Sequence, residues 1–318
     1  MSKTIVLHIF LSAYHTKSMR NLFKLTSTLF FFPIFFAVSC HRTAPSRNSA
    51  LQENARQEQS ISIHELNQED WQDDLFDPLL TPTPSVGVWD THSVDLSQVR
   101  QDKKLIALTF DDAPGKTLER ILAVFSSYNE RNPDCPAFAT LFCNGNRIRN
   151  ESTPLLHAAL ALGWELGNHT FSHPDLTKLS NADIMREIQT TDKLLYAVDQ
   201  KDVHLFRAPF GKINQTVKAQ LQTPAINWTI DTLDWTGRSA EEIYQTVFKE
   251  KFSGAIVLMH DGYEGTMSAL KRLLPDLKEA GYQAVTLSAL IKAHGKVFKN
   301  GVEYVRAIPQ TLPKNGDN

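Results

Sequence analysis

The sequence predicts an α/β fold in which parallel strands close, or nearly close, into a barrel. Three observations support this prediction. From residue 101 onward, short apolar runs alternate with segments of helical spacing, and strands that alternate with helices pair in parallel through right-handed crossovers. About seven such units follow one another, which favours a barrel over an open sheet. Polar residues directly follow most of the apolar runs, as expected at the functional edge of a barrel.

Each element is predicted from its own apolar pattern. Short, continuous apolar runs predict buried strands over 105–108, 137–143, 164–167, 204–206, 226–230, 255–259 and 283–287. Apolar residues three and four positions apart predict helices over 118–125, 154–162, 180–198, 216–221, 239–250 and 267–280. The longest of these helices begins at Ser180, whose side chain can cap the first turn.

The first 40 residues predict a secretory signal and not part of the fold. A basic stretch follows Met19, an apolar run covers 25–38, and Cys40 comes after small residues, a pattern that resembles a bacterial lipoprotein signal. The apolar run is shorter than the ~20 residues of a spanning helix, which leaves an uncleaved membrane anchor as the less favoured alternative. Met19 makes a better signal start than Met1. We expect Cys40 to carry lipid and to hold the chain outside the cytoplasm.

The remaining segments are assigned from their composition and pattern. Residues 41–100 are polar and interrupted by prolines, which predicts a tether, with packing of one segment on the domain as an alternative. The barrel domain is assigned to residues 101–294. Residues 295–318 are expected to form a loosely packed tail, and the protein is expected to be a monomer.

Composition excludes several classes of protein. The formal net charge of -2 offers no electrostatic footprint for nucleic acid. The three cysteines form no CxxC pair, which excludes a structural zinc finger and a disulfide scaffold. Cys143 is expected to be a small buried hydrophobe, because the extended run between it and Cys135 holds them apart. A disulfide between them would require the chain to turn back near Pro136.

Two adjacent carboxylates, Asp111 and Asp112, follow the first predicted strand. Such a pair is costly unless a positive charge lies beside it, and a metal ion can supply that charge. One carboxylate would then bind the ion and the other would stay free as a base. A polar turn with an acidic helix cap is the alternative.

Two histidines, His169 and His173, follow the third predicted strand. The i, i+4 spacing would place both on one face of a helical turn, where they can bind one metal ion. This is the spacing of HExxH, but Thr170 replaces the glutamate, so a base must come from elsewhere, and Asp111 is available. Imidazoles with one carboxylate suit zinc, cobalt or nickel. A pair of surface histidines is the alternative.

Three further groups follow later strands. Arg207 can hold a carboxylate bidentately, with a structural salt bridge as the alternative. Residues 231–235 form the fourth group. His260 can act as a general acid if a carboxylate keeps it protonated, with a core histidine as the alternative. All five groups come at the same end of their strands, as a single site requires, and this outweighs the separate alternatives.

The motifs TFDD, HTxxH, RxPxG, DxxDW and LxH occur in this order within residues 104–293. This set resembles the NodB-homology domain of the carbohydrate esterase family 4 polysaccharide deacetylases. The resemblance implies a distorted (β/α)7 barrel. It also implies a divalent metal ion, zinc with cobalt or nickel as alternatives, held by Asp112, His169 and His173.

The resemblance implies roles for the other motif residues. Asp111 would be the general base, Arg207 would orient Asp111, and His260 would protonate the leaving amine. Asp231 would set the charge and orientation of His260. The remaining three positions would form the pocket, with the backbone N–H of one binding the oxyanion and the other two walling the acetyl methyl group: Phe210, then Trp235 and Leu258.

The implied activity is metal-dependent hydrolysis of N-acetyl groups on an N-acetylglucosamine polymer. Peptidoglycan is the favoured substrate, ahead of chitooligosaccharide and poly-N-acetylglucosamine. An O-acetyl esterase and a non-catalytic polysaccharide-binding lipoprotein are the alternatives. Two residues depart from the family pattern: Ala113 replaces a glycine and Phe210 replaces a tyrosine. If the glycine position has a positive φ, Ala113 would cost on the order of 1 kcal/mol.

Overall fold

The computed structural model describes residues 87–307. The strands are β1 (Lys104–Ala113), β2 (Thr140–Cys143), β3 (Glu165–Asn168), β4 (Ala225–Ile226), β5 (Ile230–Asp231), β6 (Ile256–His260), β7 (Tyr282–Val285) and β8 (Glu303–Tyr304). The α-helices are α1 (Leu118–Arg131), α2 (Thr153–Ala161), α3 (Asn181–Asp199), α4 (Gln215–Gln220), α5 (Ala240–Glu250), α6 (Glu264–Glu279) and α7 (Leu287–Ala293). The predicted signal, Cys40, and residues 41–86 and 308–318 lie outside the described residues.

The larger sheet is parallel, with strand order β3-β2-β1-β6-β5 and with β7 paired to β1. β4 and β8 form a second parallel pair. Phe206 bridges to Asn168 of β3 and to Ala225 of β4, which links the two sheets. The predicted α/β fold with parallel strands in a distorted barrel is therefore confirmed.

The central strand β1 is buried on both faces. Ile106, Leu108 and Phe110 have no exposed surface. The Phe110 ring stacks on Trp164 with 5.9 Å between centroids and meets Phe125 edge to face. A strand covered on both faces has no polar alternation, which explains why its sequence is a continuous apolar run.

At its carboxyl end β1 changes register against β2, between Phe110 and Ala113. The irregularity falls on Asp111 and Asp112. A bulge of this kind turns side chains away from the regular alternation of a strand. The two neighbouring carboxylates can therefore take different surroundings.

The predicted strand 226–230 is wrong as a single element, because the structure has β4 and β5 with three residues between them. The Arg207 guanidinium occupies this break. Its Nε donates to the Ile226 carbonyl oxygen at 2.9 Å and its Nη2 donates to the Asn227 carbonyl oxygen at 3.3 Å. Because these two carbonyl oxygens accept hydrogen bonds from a buried side chain, the regular hydrogen bonding between strands is interrupted here.

Packing extends beyond the predicted boundaries of 101 and 294. Before β1, Trp89 Nε1 donates to Ser288 Oγ at 2.9 Å, and the Ser288 hydroxyl donates to Glu165. After α7, Phe298 is 3% exposed and stacks on Tyr304 with 3.8 Å between ring centroids. The prediction of a loosely packed tail is therefore wrong for residues 295–307. The alternative, a packed segment before residue 101, holds for residues 87–100.

Cys135 and Cys143 are buried free thiols, so the interpretation of Cys143 as a core residue is confirmed. Within residues 87–307, none of the helices has the length and apolar character needed to cross a bilayer.

Candidate metal centre and active site

Three side chains of metal-ligand type meet at the carboxyl edge of the sheet. Asp112, His169 and His173 each offer an atom, and these atoms lie within 4.8 Å of one another. Asp112 Oδ1 is 3.7 Å from His173 Nε2, and the two imidazole centroids are 5.0 Å apart. The structure thus brings together the three residues that the sequence predicts as metal ligands.

The chemistry of these donors fits a divalent cation. Asp112 Oδ1 is buried and has no hydrogen-bond partner among the described residues, which is costly for a carboxylate oxygen unless a cation satisfies it. His169 Nδ1 lies 2.8 Å from the Arg207 carbonyl oxygen, which can only accept. Nδ1 therefore carries the proton, and Nε2 keeps the lone pair that a metal ion needs.

The segment that carries the two histidines is a loop and not a helical turn, so that part of the prediction is wrong. Thr170 and His173 have φ of 67° and 62°, in the left-handed region. Polar side chains hold this shape: Asn168 Oδ1 accepts from the Thr170 amide at 2.9 Å, and Thr170 Oγ1 accepts from the His173 amide at 3.1 Å. Amides bonded in this way are not available for helical hydrogen bonds.

Asp111 lies behind the ligand cluster and is 3% exposed. Its Oδ1 accepts from Arg207 Nη1 at 2.7 Å, and its Oδ2 lies 3.6 Å from His169 Nε2. Burial raises the pKa of Asp111, but the Arg207 charge and the neighbouring histidines outweigh burial, so the pKa lies below its usual value. Asp111 is therefore an ionised carboxylate with one oxygen anchored.

Arg207 is wholly buried, and other groups share its donors with Asp111. Nη1 also donates to Thr109 Oγ1 at 2.8 Å, and the guanidinium carbon lies 4.1 Å from the centre of the Phe142 ring. Burial lowers the pKa of Arg207 and the Asp111 carboxylate raises it. The predicted bidentate grip is wrong: only Nη1 contacts the carboxylate, because Nε and Nη2 serve the carbonyls between β4 and β5.

His260 ends β6, and its carboxylate partner is Asp234, not the predicted Asp231. His260 Nδ1 is 2.7 Å from Asp234 Oδ1, while Asp234 Oδ2 accepts from the His260 amide at 2.7 Å and from the Thr266 hydroxyl. Asp231 instead accepts from the Leu233 amide at 2.9 Å. A left-handed turn at Leu233, with φ of 54°, carries Asp234 into the site.

The Asp234 carboxylate controls the protonation of His260. Burial lowers the pKa of His260, but the hydrogen bond that its ring donates to Asp234 and the nearby Asp111 charge raise it, and the net pKa lies above its usual value. The imidazole is 15% exposed, so its outer nitrogen can meet a ligand. The geometry supports a protonated histidine at this position.

Two exposed aromatic residues border the cluster. Phe210 is 61% exposed, and its ring meets the His173 ring edge to face with 4.7 Å between centroids. Trp235 is 53% exposed and directly follows Asp234. Leu258 lies on β6 and is 3% exposed. The structure therefore places all three predicted pocket residues at or directly behind this edge.

Asp261 is a site residue that the motif analysis passed over. Its carboxylate accepts from the amides of Gly115 and Thr117 and from the Thr117 hydroxyl, and its own amide donates to the Asp111 carbonyl oxygen at 2.9 Å. It thus ties the end of β6 to the loop after β1. Its place directly after His260 at a strand end is the sequence signal that could have identified it.

Strained backbone concentrates at this edge. Six non-glycine residues of the described chain have a positive φ, and five of them belong to the site loops: Asp112, Thr170, His173, Phe210 and Leu233. Ala113 is not among them, so the cost considered for its replacement of glycine does not arise. Each such residue costs about 1 kcal/mol, and strain of this kind clusters at functional sites.

Comparison with known proteins agrees with this geometry. The sequence model of the polysaccharide deacetylase family matches residues 98–226. A peptidoglycan-N-acetylglucosamine deacetylase of Bacillus cereus is 35% identical over 204 residues, which cover 61% of this chain and 92% of that protein. The chain belongs to the polysaccharide deacetylase family. This confirms the resemblance to carbohydrate esterase family 4.

Solved structures of the family have the same fold. The structure of T48 deacetylase with substrate has a TM-score of 0.59 and 31% identity, and the match covers 64% of this chain and 96% of that chain. A carbohydrate esterase family 4 pseudoenzyme of Bacillus anthracis has a TM-score of 0.52 and 30% identity, over 60% of this chain and 66% of that chain. Family membership alone therefore does not establish turnover.

This deacetylase-family chain spans less than half the length of several curated relatives that it matches, with shares of 33%, 44% and 40%. The shared part is the deacetylase domain. What the longer proteins do as a whole is not transferred by this match.

Proposed function

We propose that this protein hydrolyses N-acetyl groups on a glycan that contains N-acetylglucosamine, with peptidoglycan as the first candidate. One observation carries the proposal: an ionised carboxylate, Asp111, lies beside a cluster of three metal-type donors and is anchored through one oxygen only. A base next to a cation site is the arrangement that hydrolysis of an amide requires. The name of the Bacillus cereus relative supports the choice of substrate.

Asp112, His169 and His173 would hold the cation. One oxygen and two imidazole nitrogens suit zinc, with cobalt or nickel as alternatives. When bound, the ion polarises an acetamide carbonyl and lowers the pKa of water. The partnerless Asp112 Oδ1 and the unprotonated His169 Nε2 support this assignment.

Asp111 and Arg207 would handle the first proton. Asp111 takes a proton from the attacking water, and the water oxygen bonds to the acetamide carbon. Arg207 keeps Asp111 Oδ1 fixed, so the other oxygen is the one that accepts the proton. The Phe210 backbone N–H would donate to the oxyanion that forms, a role that needs no particular side chain.

His260 would handle the second proton. Its ring donates a proton to the amide nitrogen as the carbon–nitrogen bond breaks, which releases acetate and leaves an amine on the sugar. Asp234 raises the pKa of this histidine and so favours its charged form. An ester does not need a protonated leaving group as strongly as an amide does, so the His260–Asp234 pair favours the amide over the O-acetyl ester. Trp235 and Leu258 would enclose the acetyl methyl group.

The sequence before residue 41 supports a lipid anchor at Cys40 and an extracytoplasmic, membrane-attached protein, which we propose to be a monomer. Such an anchor would keep the enzyme next to the polymer of its own cell envelope.

The experiment measures acetate release from peptidoglycan, chitooligosaccharide and poly-N-acetylglucosamine, with and without a chelator. We expect Asp112→Ala and His173→Ala to abolish metal binding. Asp111→Asn should keep one bound metal ion and lose turnover by about 10²- to 10⁴-fold. Asp231→Asn is the matched control, because its carboxylate accepts from the Leu233 amide, and it should stay active.

Two results would contradict the proposal. Full turnover in Asp111→Asn would remove the base assignment. In the second result, the protein binds the metal ion and yet releases no acetate from any of the polymers or from an O-acetylated polysaccharide. That result would indicate a non-catalytic binding protein like the pseudoenzyme relative.

A further inference from the structure

Arg147 lies where the loops that carry the three ligand residues meet. Its Nη1 donates to the carbonyl oxygen of Asp112 at 2.5 Å. Two positions earlier, the Gly145 amide donates to the carbonyl oxygen of Thr170, between the two histidine ligands, at 3.0 Å. The short segment between β2 and α2 is thus bonded to both sides of the metal centre.

The backbone around Arg147 is firmly held. The Asn144 side-chain amide donates to the His169 carbonyl oxygen at 2.9 Å, and the Ser152 hydroxyl donates to the Arg147 carbonyl oxygen at 2.8 Å. A Cβ at Gly145 would lie 2.7 Å from the Phe171 ring, so this residue has to be a glycine for the loops to pack so closely. The backbone position of Arg147 is therefore set by the same contacts that hold the ligand loops.

The Arg147 guanidinium nevertheless keeps free hydrogen-bond donors, although its charge also acts on the nearby Asp261 carboxylate. The residue is exposed, and its one side-chain hydrogen bond within residues 87–307 leaves the other N–H groups without protein acceptors. Two other cations near this edge are paired: Lys212 with Asp175 at 2.9 Å, and Arg120 with Glu264. A fixed guanidinium with free donors matches the two oxygens of a carboxylate.

We propose that Arg147 binds a carboxylate of the substrate, so that the protein selects an acidic N-acetylated glycan over a neutral one. This inference rests on the proposed function and narrows its substrate class. Arg147 contacts the backbone of a metal ligand, so the carboxylate would lie within about one sugar unit of the acetamide under attack. The carboxylate could belong to the sugar itself or to a peptide attached to it.

The test compares matched glycans. Peptidoglycan strands, with and without their peptides, are each used with free carboxylates and after conversion of the carboxylates to methylamides. For the wild type we expect kcat/KM to be about 10- to 100-fold higher on the free acids, chiefly through a lower KM. If the preference persists after the peptides are removed, the carboxylate belongs to the sugar.

Variants of Arg147 test whether this residue causes the preference for free carboxylates. Arg147→Gln should reduce the ratio of the two kcat/KM values to within about twofold, while Arg147→Lys should keep part of it because the charge remains. Arg149→Gln makes the same charge change on the same loop and should behave as the wild type. Its Nε is already bonded to the Asn146 carbonyl oxygen. Thermal melting checks that each variant is folded.

A wild type that treats acids and methylamides alike, or an Arg147→Gln variant that keeps the full preference, would overturn the inference while acetate release still supported the proposed function. If no strand releases acetate, binding still tests the inference about Arg147. The dissociation constants of the free-acid and methylamide strands are then measured for Asp111→Asn and for Asp111→Asn with Arg147→Gln. Equal affinities would then overturn it, and tighter binding of the acid that depends on Arg147 would support it.

Discussion

At the scale of single residues, the choice between two aspartates decides how the general acid is tuned. Asp231 and Asp234 both belong to the DxxDW motif, and their spacing in the sequence does not say which one faces His260. The answer depends on the left-handed turn at Leu233, which is a rare conformation for a residue with a branched side chain. No local sequence pattern predicts such a turn.

Removal of the Asp234 charge should shift the pH dependence of turnover. Because Asp234 raises the pKa of His260, Asp234→Asn should lower that pKa. His260 must be protonated to act as an acid, so activity is lost as pH rises through its pKa. The alkaline limb of the kcat/KM profile should therefore move to lower pH in the variant.

Asp231→Asn serves as the comparison for this profile, since its carboxylate bonds the Leu233 amide and not the imidazole. Its alkaline limb should stay at the wild-type pH. Identical shifts in the two variants would mean that Asp234 does not set the His260 pKa.

At the scale of elements, six of the seven described α-helices and most of the buried strands follow from the sequence, whereas α7, the strand predicted over 204–206 and the site loops do not. The predicted helix over 180–198 matches α3 within one residue at each end, because an apolar stripe and a serine cap act locally. The loop from His169 to His173 depends on hydrogen bonds from Asn168 and Thr170 side chains. The sequence of this loop is equally compatible with a helical turn.

A buried histidine, His204, connects α3 to the segment that follows it. His204 lies two residues before Phe206, which bridges the two sheets, and its side chain has no exposed surface. Its Nδ1 and Nε2 lie 2.8 Å from Asp192 and 3.2 Å from Asp199, both of α3. Burial lowers the pKa of His204, but the two carboxylates raise it to about 9. Both ring nitrogens face acceptors, so this histidine is charged in the fold.

His204 should make stability depend on pH between about 6.5 and 9. Its folded pKa is raised, so its contribution is complete below the unfolded value and is lost as pH rises through 9. Relative to His204→Gln, the wild type should lose about 3 kcal/mol of unfolding free energy over that window. Urea unfolding at several pH values measures the difference.

The exposed His157 on α2 supplies a control, because it lies outside this pair of carboxylates. His157→Gln should track the wild type across the same pH range. A difference between wild type and His204→Gln that stays constant with pH would show that the charge of His204 contributes nothing.

At the scale of the whole molecule, the sequence predicts the barrel but not where it begins. Residues 87–100 contribute four apolar residues to the core: Trp89, Val94, Leu96 and Val99. They are scattered among polar residues, with neither helical nor strand periodicity, so the pattern reads as a linker. Only the contacts with the core reveal their role, and the same holds for Phe298 after α7.

A chain that begins at residue 102 should therefore be less stable than one that begins at residue 87. Loss of four partly buried apolar side chains should cost roughly 4 kcal/mol of unfolding free energy. The midpoints of urea unfolding of the two chains give the comparison. Trp89→Phe, which keeps the ring and loses the hydrogen bond to Ser288, should cost only about 1 kcal/mol.

Equal midpoints for the chains that begin at 87 and at 102 would assign residues 87–100 to the linker after all. If the Trp89→Phe variant unfolds as readily as the shorter chain, the stabilisation by residues 87–100 comes mainly from that one hydrogen bond.

The five left-handed residues at the carboxyl edge have a consequence for binding. Their combined strain, on the order of 5 kcal/mol, is carried by the folded domain in the free protein. An arriving polymer therefore meets a rigid, preorganised surface and spends little of its affinity on rearranging the enzyme. Glycine at the three of these positions that are not metal ligands, Thr170, Phe210 and Leu233, would be expected to raise stability and to slow turnover.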